Sequence, residues 1–409
     1  MILVSTRPTK PRMLLACCLA CLVGACPADP ASPGDAAGPA DQAAPDAAPE
    51  GGADADAGAV ARCPATSAVS TTDEVLVVGD PGAAMGIFDP SIVYPESATG
   101  GAMAYSAVPT QETIRTRIAL SDDHGATWTY VAEPNLPEPA TIASSDSSEC
   151  PSGACSGNLI SEVSSLVYDA DDPDASRRWK LFAHRYLVGP GVALHYRIGT
   201  IALQTAPQPQ GPWTAPQKLL GWTSPSDHSS SGVTLNVSTL SQTSDCLALT
   251  EPGALWLPGV LELALGCVYL DGSTPRIRIE LFRSADHAGS WQWVSTPLRP
   301  EDAACLTAGA SINAAELFAH GGTTYLAATP SDEAGYHGCL IFEIDDIATG
   351  RVRRDAKGAA FVARTITPDP PRFAGACAFS GGAGGLAMGV AFIGDARPFR
   401  IIRTGIAAP

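Results

Sequence analysis

From about residue 75 onward, short runs of Val, Ile, Leu, Tyr and Trp alternate with clusters of Gly, Pro, Ser and Asp. Helical spacing is nearly absent, and 35 Pro and 40 Gly leave little room for long helices. That pattern predicts many short strands. The runs recur about five times along the chain. The first unit holds Phe88 to Tyr94, Ala102 to Ser106 and Thr116 to Leu120, and closes at Trp128. The second holds Val163 to Tyr168, Trp179 to Tyr186 and Ile198 to Leu203, and closes at Trp213. The third holds Glu251 to Trp256, Leu263 to Tyr269 and Arg278 to Ser284, and closes at Trp291. A fourth begins near Ala315 to Phe318, and a fifth runs from Gly375 to Arg403. A lone four-stranded sheet cannot cover both of its faces, whereas radial stacking of such sheets does. The sequence therefore predicts an all-β, five-bladed β-propeller, with six blades as the alternative count.

The first 62 residues follow a different pattern. Arg7, Lys10 and Arg12 precede an apolar run from Met13 to Val23, too short to span a bilayer as a stable helix. The run ends in Leu22-Val23-Gly24-Ala25-Cys26. This resembles a bacterial lipobox, which implies cleavage before Cys26 and a diacylglycerol on its thiol. A secretory signal with an incidental cysteine is the alternative. The segment from Pro27 to Ala61 is almost all Ala, Pro, Asp and Gly, with seven carboxylates and no base. It cannot bury enough surface to offset its ordering entropy. We expect a signal peptide over 1–25, a lipidated Cys26 with a disordered tether over 26–62, and a propeller domain over 63–409. A flexible tether of that length reaches roughly 30–35 Å. The expected location is the bacterial cell envelope, with membrane contact only through the lipid anchor.

The formal charge of −17 argues against nucleic acid as a partner. Eight cysteines follow Cys26, and an even number in an exported chain predicts up to four disulfides. Cys150 and Cys155 flank a four-residue loop, Cys246 and Cys267 flank the first strand pair of the third unit, and Cys339 with Cys377 is the favoured link between adjacent blades. Cys63 and Cys305 then remain. No cysteine and histidine spacing suits zinc. No cofactor is expected; the acidic turn Asp169 to Asp174 reads as a solvated loop, with a structural calcium as the alternative.

Two closing turns carry a motif. Ser121, Asp123, Gly125, Thr127 and Trp128 complete S-x-D-x-G-x-T-W, and Ser284, Asp286 and Trp291 repeat it with Ala288 for Gly and Ser290 for Thr. The motif resembles the Asp box of sialidase-type (BNR) propellers. There the Asp accepts hydrogen bonds from turn amides, so these residues are expected to be structural. A sialidase proper is not implied, since the R-I-P motif is missing.

The opening Asp89-Pro90-Ser91 and the outer turn Gly211-Pro212-Trp213 also resemble five-bladed glycoside hydrolases of the arabinanase and xylosidase type. That resemblance implies a glycan ligand in a central funnel, water activated by an Asp of blade one, and a leaving oxygen protonated by a Glu of blade three. Asp89-Pro90 aligns with Glu251-Pro252, so Asp89 and Glu251 are the catalytic candidates, with Glu162 and Glu316 as modulators. The implied inverting geometry separates the carboxyls by about 6.5–9.5 Å. Acid-Pro pairs also simply start strands. His184, Arg185 and Tyr186 are candidate substrate-binding residues, or partners of one another within the sheet. An enzyme should gather two or three carboxylates between Trp or Tyr walls. A non-catalytic monomer presenting a protein- or glycan-binding face should show a wide or apolar channel.

Overall fold

The apolar runs pair in chain order into antiparallel sheets. The computed structural model describes residues 63–95, 100–307, 311–332, 334–379 and 385–409. The signal segment, Cys26 and the tether lie outside the described residues. Sheet 1 is built from Ile87–Val93, Gly101–Ala107, Arg115–Ser121 and Trp128–Ala132. Sheet 2 uses Ala154–Tyr168, Trp179–Gly189, Ala193–Ala206 and Gln217–Gly221, and sheet 3 uses Ala248–Leu257, Val260–Asp271, Thr274–Ser284 and Gln292–Leu298. Sheet 4 has Ser311–His320, Thr323–Asp332, Cys339–Asp346 and Val362–Asp369 as its main path, and sheet 5 has Phe373–Phe379, Leu386–Ala391 and Phe399–Arg403.

The first strands of successive sheets are neighbours, and that of sheet 5 returns to that of sheet 1. Apolar side chains fill every gap between sheets. Ile118, Leu166 and Leu181 join sheets 1 and 2, and Phe182, Leu263 and Phe282 join 2 and 3. Leu281, Leu317 and Phe342 join 3 and 4, Ile341 and Met388 join 4 and 5, and Met103, Trp128 and Ile401 join 5 and 1. The architecture is a β-propeller. The expected five blades are corrected to four complete ones, because among the described residues the fifth sheet has three strands. Its outer edge is occupied instead by a short piece of the N-terminal segment, where Val75 N–H donates to Ile401 O at 2.8 Å and Arg403 N–H donates to Asp73 O at 2.8 Å.

That N-terminal segment is a strap. Thr66–Ser70 pairs in parallel with Val362–Asp369 on sheet 4, residues 73–75 edge sheet 5, and Val77–Val78 pairs in parallel with Trp128–Ala132 on sheet 1. A disulfide between Cys63 and Cys305 fixes its start to the connection between sheets 3 and 4. The other three disulfides are Cys150–Cys155, Cys246–Cys267 and Cys339–Cys377, the pairs favoured from the sequence.

Every first strand is interrupted at the same place. The register with the second strand breaks between Phe88 and Ser91, Glu162 and Ser164, Thr250 and Gly253, Asn313 and Glu316, and Gly375 and Ala378. At each break one residue is left-handed: Asp89, Val163, Glu251, Ala314 and Ala376 have φ between 45° and 51°. Left-handed geometry costs a residue with a side chain about 1–2 kcal/mol. The bulges turn N–H groups toward neighbouring sheets, where hydroxyls accept them. Ser106 Oγ accepts from Val163, Ser91 Oγ from Leu166, Ser165 Oγ from Ala254 and Thr329 Oγ1 from Ala376, at 2.8–3.2 Å.

The two Ser-x-Asp turns have matching hydrogen bonds. Asp123 Oδ1 accepts from Thr127 N–H at 2.8 Å and Ser121 Oγ accepts from Gly125 N–H at 2.8 Å. Asp286 Oδ1 accepts from Ser290 N–H at 2.8 Å and Ser284 Oγ accepts from Ala288 N–H at 2.9 Å. The bonds from the Thr127 backbone and hydroxyl, with that from Ser121, hold the Asp123 carboxyl down to about 2. Gly125 sits at φ 83° and Ala288 at φ 72°, so the second turn strains a Cβ that the first avoids. Ala288→Gly should therefore raise stability by about 0.5–1 kcal/mol, and Gly125→Ala should lower it by at least as much. Urea unfolding of both variants checks this; a destabilised Ala288→Gly would show that the buried methyl outweighs the strain.

Candidate active site

The bulge on the first strands aims side chains at the propeller axis, where a cavity of about 140 Å³ opens. By comparison, a cavity of about 150 Å³ admits one benzene ring. Its acidic members are Asp89 from sheet 1, Glu162 from sheet 2 and Glu251 from sheet 3, with Asp332 of sheet 4 also on the lining. Asp89 is buried, while Glu162 and Glu251 are half-buried. Aromatic walls come from Phe88, Tyr186, Tyr196, Tyr336, Phe373 and Phe399. Aliphatic positions such as Ile114, Val192, Leu194 and Val268 complete much of the remaining surface.

A relay of side chains holds Glu251. Thr250 Oγ1 donates to Asn313 Oδ1 at 3.1 Å, Asn313 Nδ2 donates to Tyr336 Oη at 3.2 Å, and the Tyr336 hydroxyl donates to Glu251 Oε1 at 2.6 Å. Tyr336 is itself fixed by stacking on Phe373, with ring centroids 4.8 Å apart. The Glu251 carboxylate also takes a backbone hydrogen bond from Ala314. Across the cavity the Tyr186 hydroxyl donates to Glu162 Oε2, and Tyr186 sits 4.6 Å from both His184 and Tyr196.

Proximity and burial set the charge state. Burial pushes Glu251 up to about 7, opposed by the Tyr336 hydrogen bond and assisted by the charge of Glu162. Burial, then the charges of Glu162 and Glu251, hold Asp89 well above the usual carboxylate range, against a hydrogen bond from Ser106. Burial also raises Glu162, against the Tyr186 hydrogen bond. The three carboxyls lie close enough to influence one another, so burial and their mutual charge favour protonated forms in the cluster. Burial keeps His184 neutral by lowering it to about 3, and its Nε2 is buried without a partner.

The remaining candidates lie elsewhere. Arg185 alternates to the other strand face, where it donates to Ser161 Oγ at 3.4 Å and pairs with Glu138, so the His184, Arg185 and Tyr186 trio divides across the sheet. Glu316 sits beneath the cavity on the axis, accepting from Ser91 Oγ at 2.7 Å and Ser165 Oγ at 3.3 Å, and burial pushes it up to about 8. At the acidic turn Asp169 to Asp174, two carboxylates face a lysine, and Asp169 and Asp172 also lie with His287 close enough to share an ion. The buried Lys180 ammonium lies 2.6 Å from Asp172 Oδ2 and 3.3 Å from Asp169 Oδ2, and Asp174 caps a short 3₁₀ turn. Tyr336, Asn313 and Tyr196 escaped the sequence reading, because each comes from an element with no motif and is brought in only by the ring closure.

No protein-family model matches the chain, and no curated protein matches it. Solved structures do. One described as a glycoside hydrolase is 13% identical, with 83% of this chain covering 95% of that one at a TM-score of 0.51. The likeness is one of fold. The catalytic domain of the Coprinopsis cinerea GH62 alpha-L-arabinofuranosidase is 13% identical over 82% of this chain and 94% of that one, with a TM-score of 0.47. A Podospora anserina alpha-L-arabinofuranosidase, solved with cellotriose, is 12% identical over 83% and 96%, also at 0.47. At its score of 0.51, the first of these shares its fold with this chain.

Proposed function

We propose that this chain is an exported lipoprotein whose propeller funnel binds a glycan and hydrolyses a glycosidic bond in it. The observation that carries the reading is the meeting of Asp89, Glu162 and Glu251, from three successive sheets, in one aromatic-walled cavity. Glycosyl transfer needs one ionised and one protonated carboxyl on either side of the bond. Glu251, pushed up to about 7 by burial, can carry the proton that the departing oxygen needs. Asp89 takes a proton from water as it attacks the anomeric carbon, and Glu251 gives its proton to the departing oxygen. Glu162, coupled to both, tunes that distribution. Three-stranded sheet 5, completed by the strap, serves as the fifth blade. The Ser121 and Ser284 turns are Asp boxes of the outer rim, with a structural role.

The test is a glycan array followed by a release assay on each hit. Wild-type protein should free reducing sugar from a bound glycan, and the Asp89→Asn, Glu251→Gln double variant should bind without release. Binding by both with release by neither would leave a glycan-binding module in place of an enzyme. The anchoring half has its own check. Cys26→Ser should abolish incorporation of labelled palmitate and move the protein to the soluble fraction, and persistent labelling would refute the lipobox.

A further inference from the structure

Building on the reading that the funnel binds sugars, we infer that it is selective for a ligand carrying a protonated amine, such as an amino sugar with its nitrogen unacylated, and that it rejects carboxylated sugars. The inference begins with what lines the cavity. Asp89, Glu162, Glu251 and Asp332 face it, and among the described residues no lysine or arginine does. His337 Nε2 lies 2.7 Å from Asp332 Oδ1, at the edge of this set.

The second observation is independent of the acids. His184 is only 2% exposed, it lines the cavity, and its Nε2 has no hydrogen-bond partner. A buried polar atom left unpaired costs about 1–3 kcal/mol, which a ligand hydrogen bond recovers. The imidazole is neutral there, so it supplies no attraction for an anion and can accept from an ammonium or a hydroxyl. The ring faces of Tyr186, Tyr196 and Tyr336 add a surface that favours cations.

Electrostatics then sets the order of ligands. An ammonium entering among crowded carboxyls relieves their repulsion. A neutral ring has no such effect. A carboxylate adds a further charge to the cluster with no cation to receive it, and repulsion of that kind is an effective source of specificity.

The experiment is isothermal titration calorimetry on the full domain with 4-nitrophenyl β-glycosides of glucosamine, N-acetylglucosamine and glucuronic acid, and with benzylamine as a sugar-free amine. The glucosamine glycoside should bind at least ~10-fold more tightly than the N-acetyl form, and the glucuronide weakest of all. Glu162→Gln should narrow the gap between the amine and its N-acetyl partner, because it removes charge and keeps shape. Equal affinities for all three glycosides would overturn the inference and leave the sugar-binding reading intact. Binding of benzylamine without binding of any glycoside would do the reverse. Unaltered preference in Glu162→Gln would sink the carboxyl cluster as its source.

Discussion

Asp89→Asn and Glu251→Gln should each lower the rate of glycoside hydrolysis by at least ~10²-fold, the usual scale for losing a general base or acid. Neither change alters side-chain volume appreciably. Each removes a group that burial and neighbouring charge hold above its ordinary range, so each also removes a source of strain. The melting temperature of both variants should therefore stay level or rise, as is common where an active site is built against stability. The pairing of lost rate with retained stability is what identifies a catalytic role. A variant that melts early and loses activity in proportion to its unfolding would instead mark the residue as structural. Glycoside turnover by the double variant at the wild-type rate would end the hydrolase assignment outright.

Glu316→Gln should flatten the dependence of folding stability on pH between about 4.5 and 8. Glu316 is buried beneath the funnel and pushed up to about 8. The folded chain then keeps a proton that the unfolded chain gives up above its own carboxyl pKa. Stability is full below the unfolded value and falls as pH rises toward the folded one. The loss at this one residue is about 3–5 kcal/mol across the window. Glutamine keeps an oxygen acceptor for one serine and donates to the other, since Ser91 Oγ and Ser165 Oγ can each accept a bond. Urea denaturation of wild type and variant at pH 5 and pH 8 reads the difference. Parallel losses in the two proteins would show that Glu316 is not the group that titrates. Glu251 contributes in the same direction, so some slope will remain in the variant.

The strands and most of the ring were legible in the sequence because burial on the two faces of a blade leaves dense apolar runs. The local disulfides were legible for a similar reason: Cys150 and Cys155 are five residues apart, and Cys246 and Cys267 flank one hairpin. The alignment of Asp89 with Glu251 also had a physical basis, since both occupy the left-handed bulge position of their strands. In sheet 2 that position belongs to Val163, and Glu162 precedes it by one residue. Text alignment of blade openings therefore places Glu162 less well than the acids on either side. Glu316 lies two residues past Ala314, the bulge residue of its strand, and so falls below the funnel. Arg185 was grouped with His184 and Tyr186 through their adjacency in sequence, although alternation along a strand sends consecutive side chains to opposite faces. The strap could not be read at all. Its pairings join residues 66–78 to strands some fifty to three hundred and thirty positions away, and no local pattern encodes such partners.

The position of the Cys63–Cys305 bridge has a mechanical consequence. Any tension transmitted to the domain through residue 62 arrives first at Cys63, and the covalent bond passes it to the connection between sheets 3 and 4. The short pairings at 66–70, 73–75 and 77–78 lie downstream of that junction and carry no load. With the bridge reduced, the same pull would peel the segment from sheet 4, then sheet 5, then sheet 1, one hydrogen bond at a time. The disulfide thus works as a strain relief, isolating the closure of the ring from forces applied at the end of the chain.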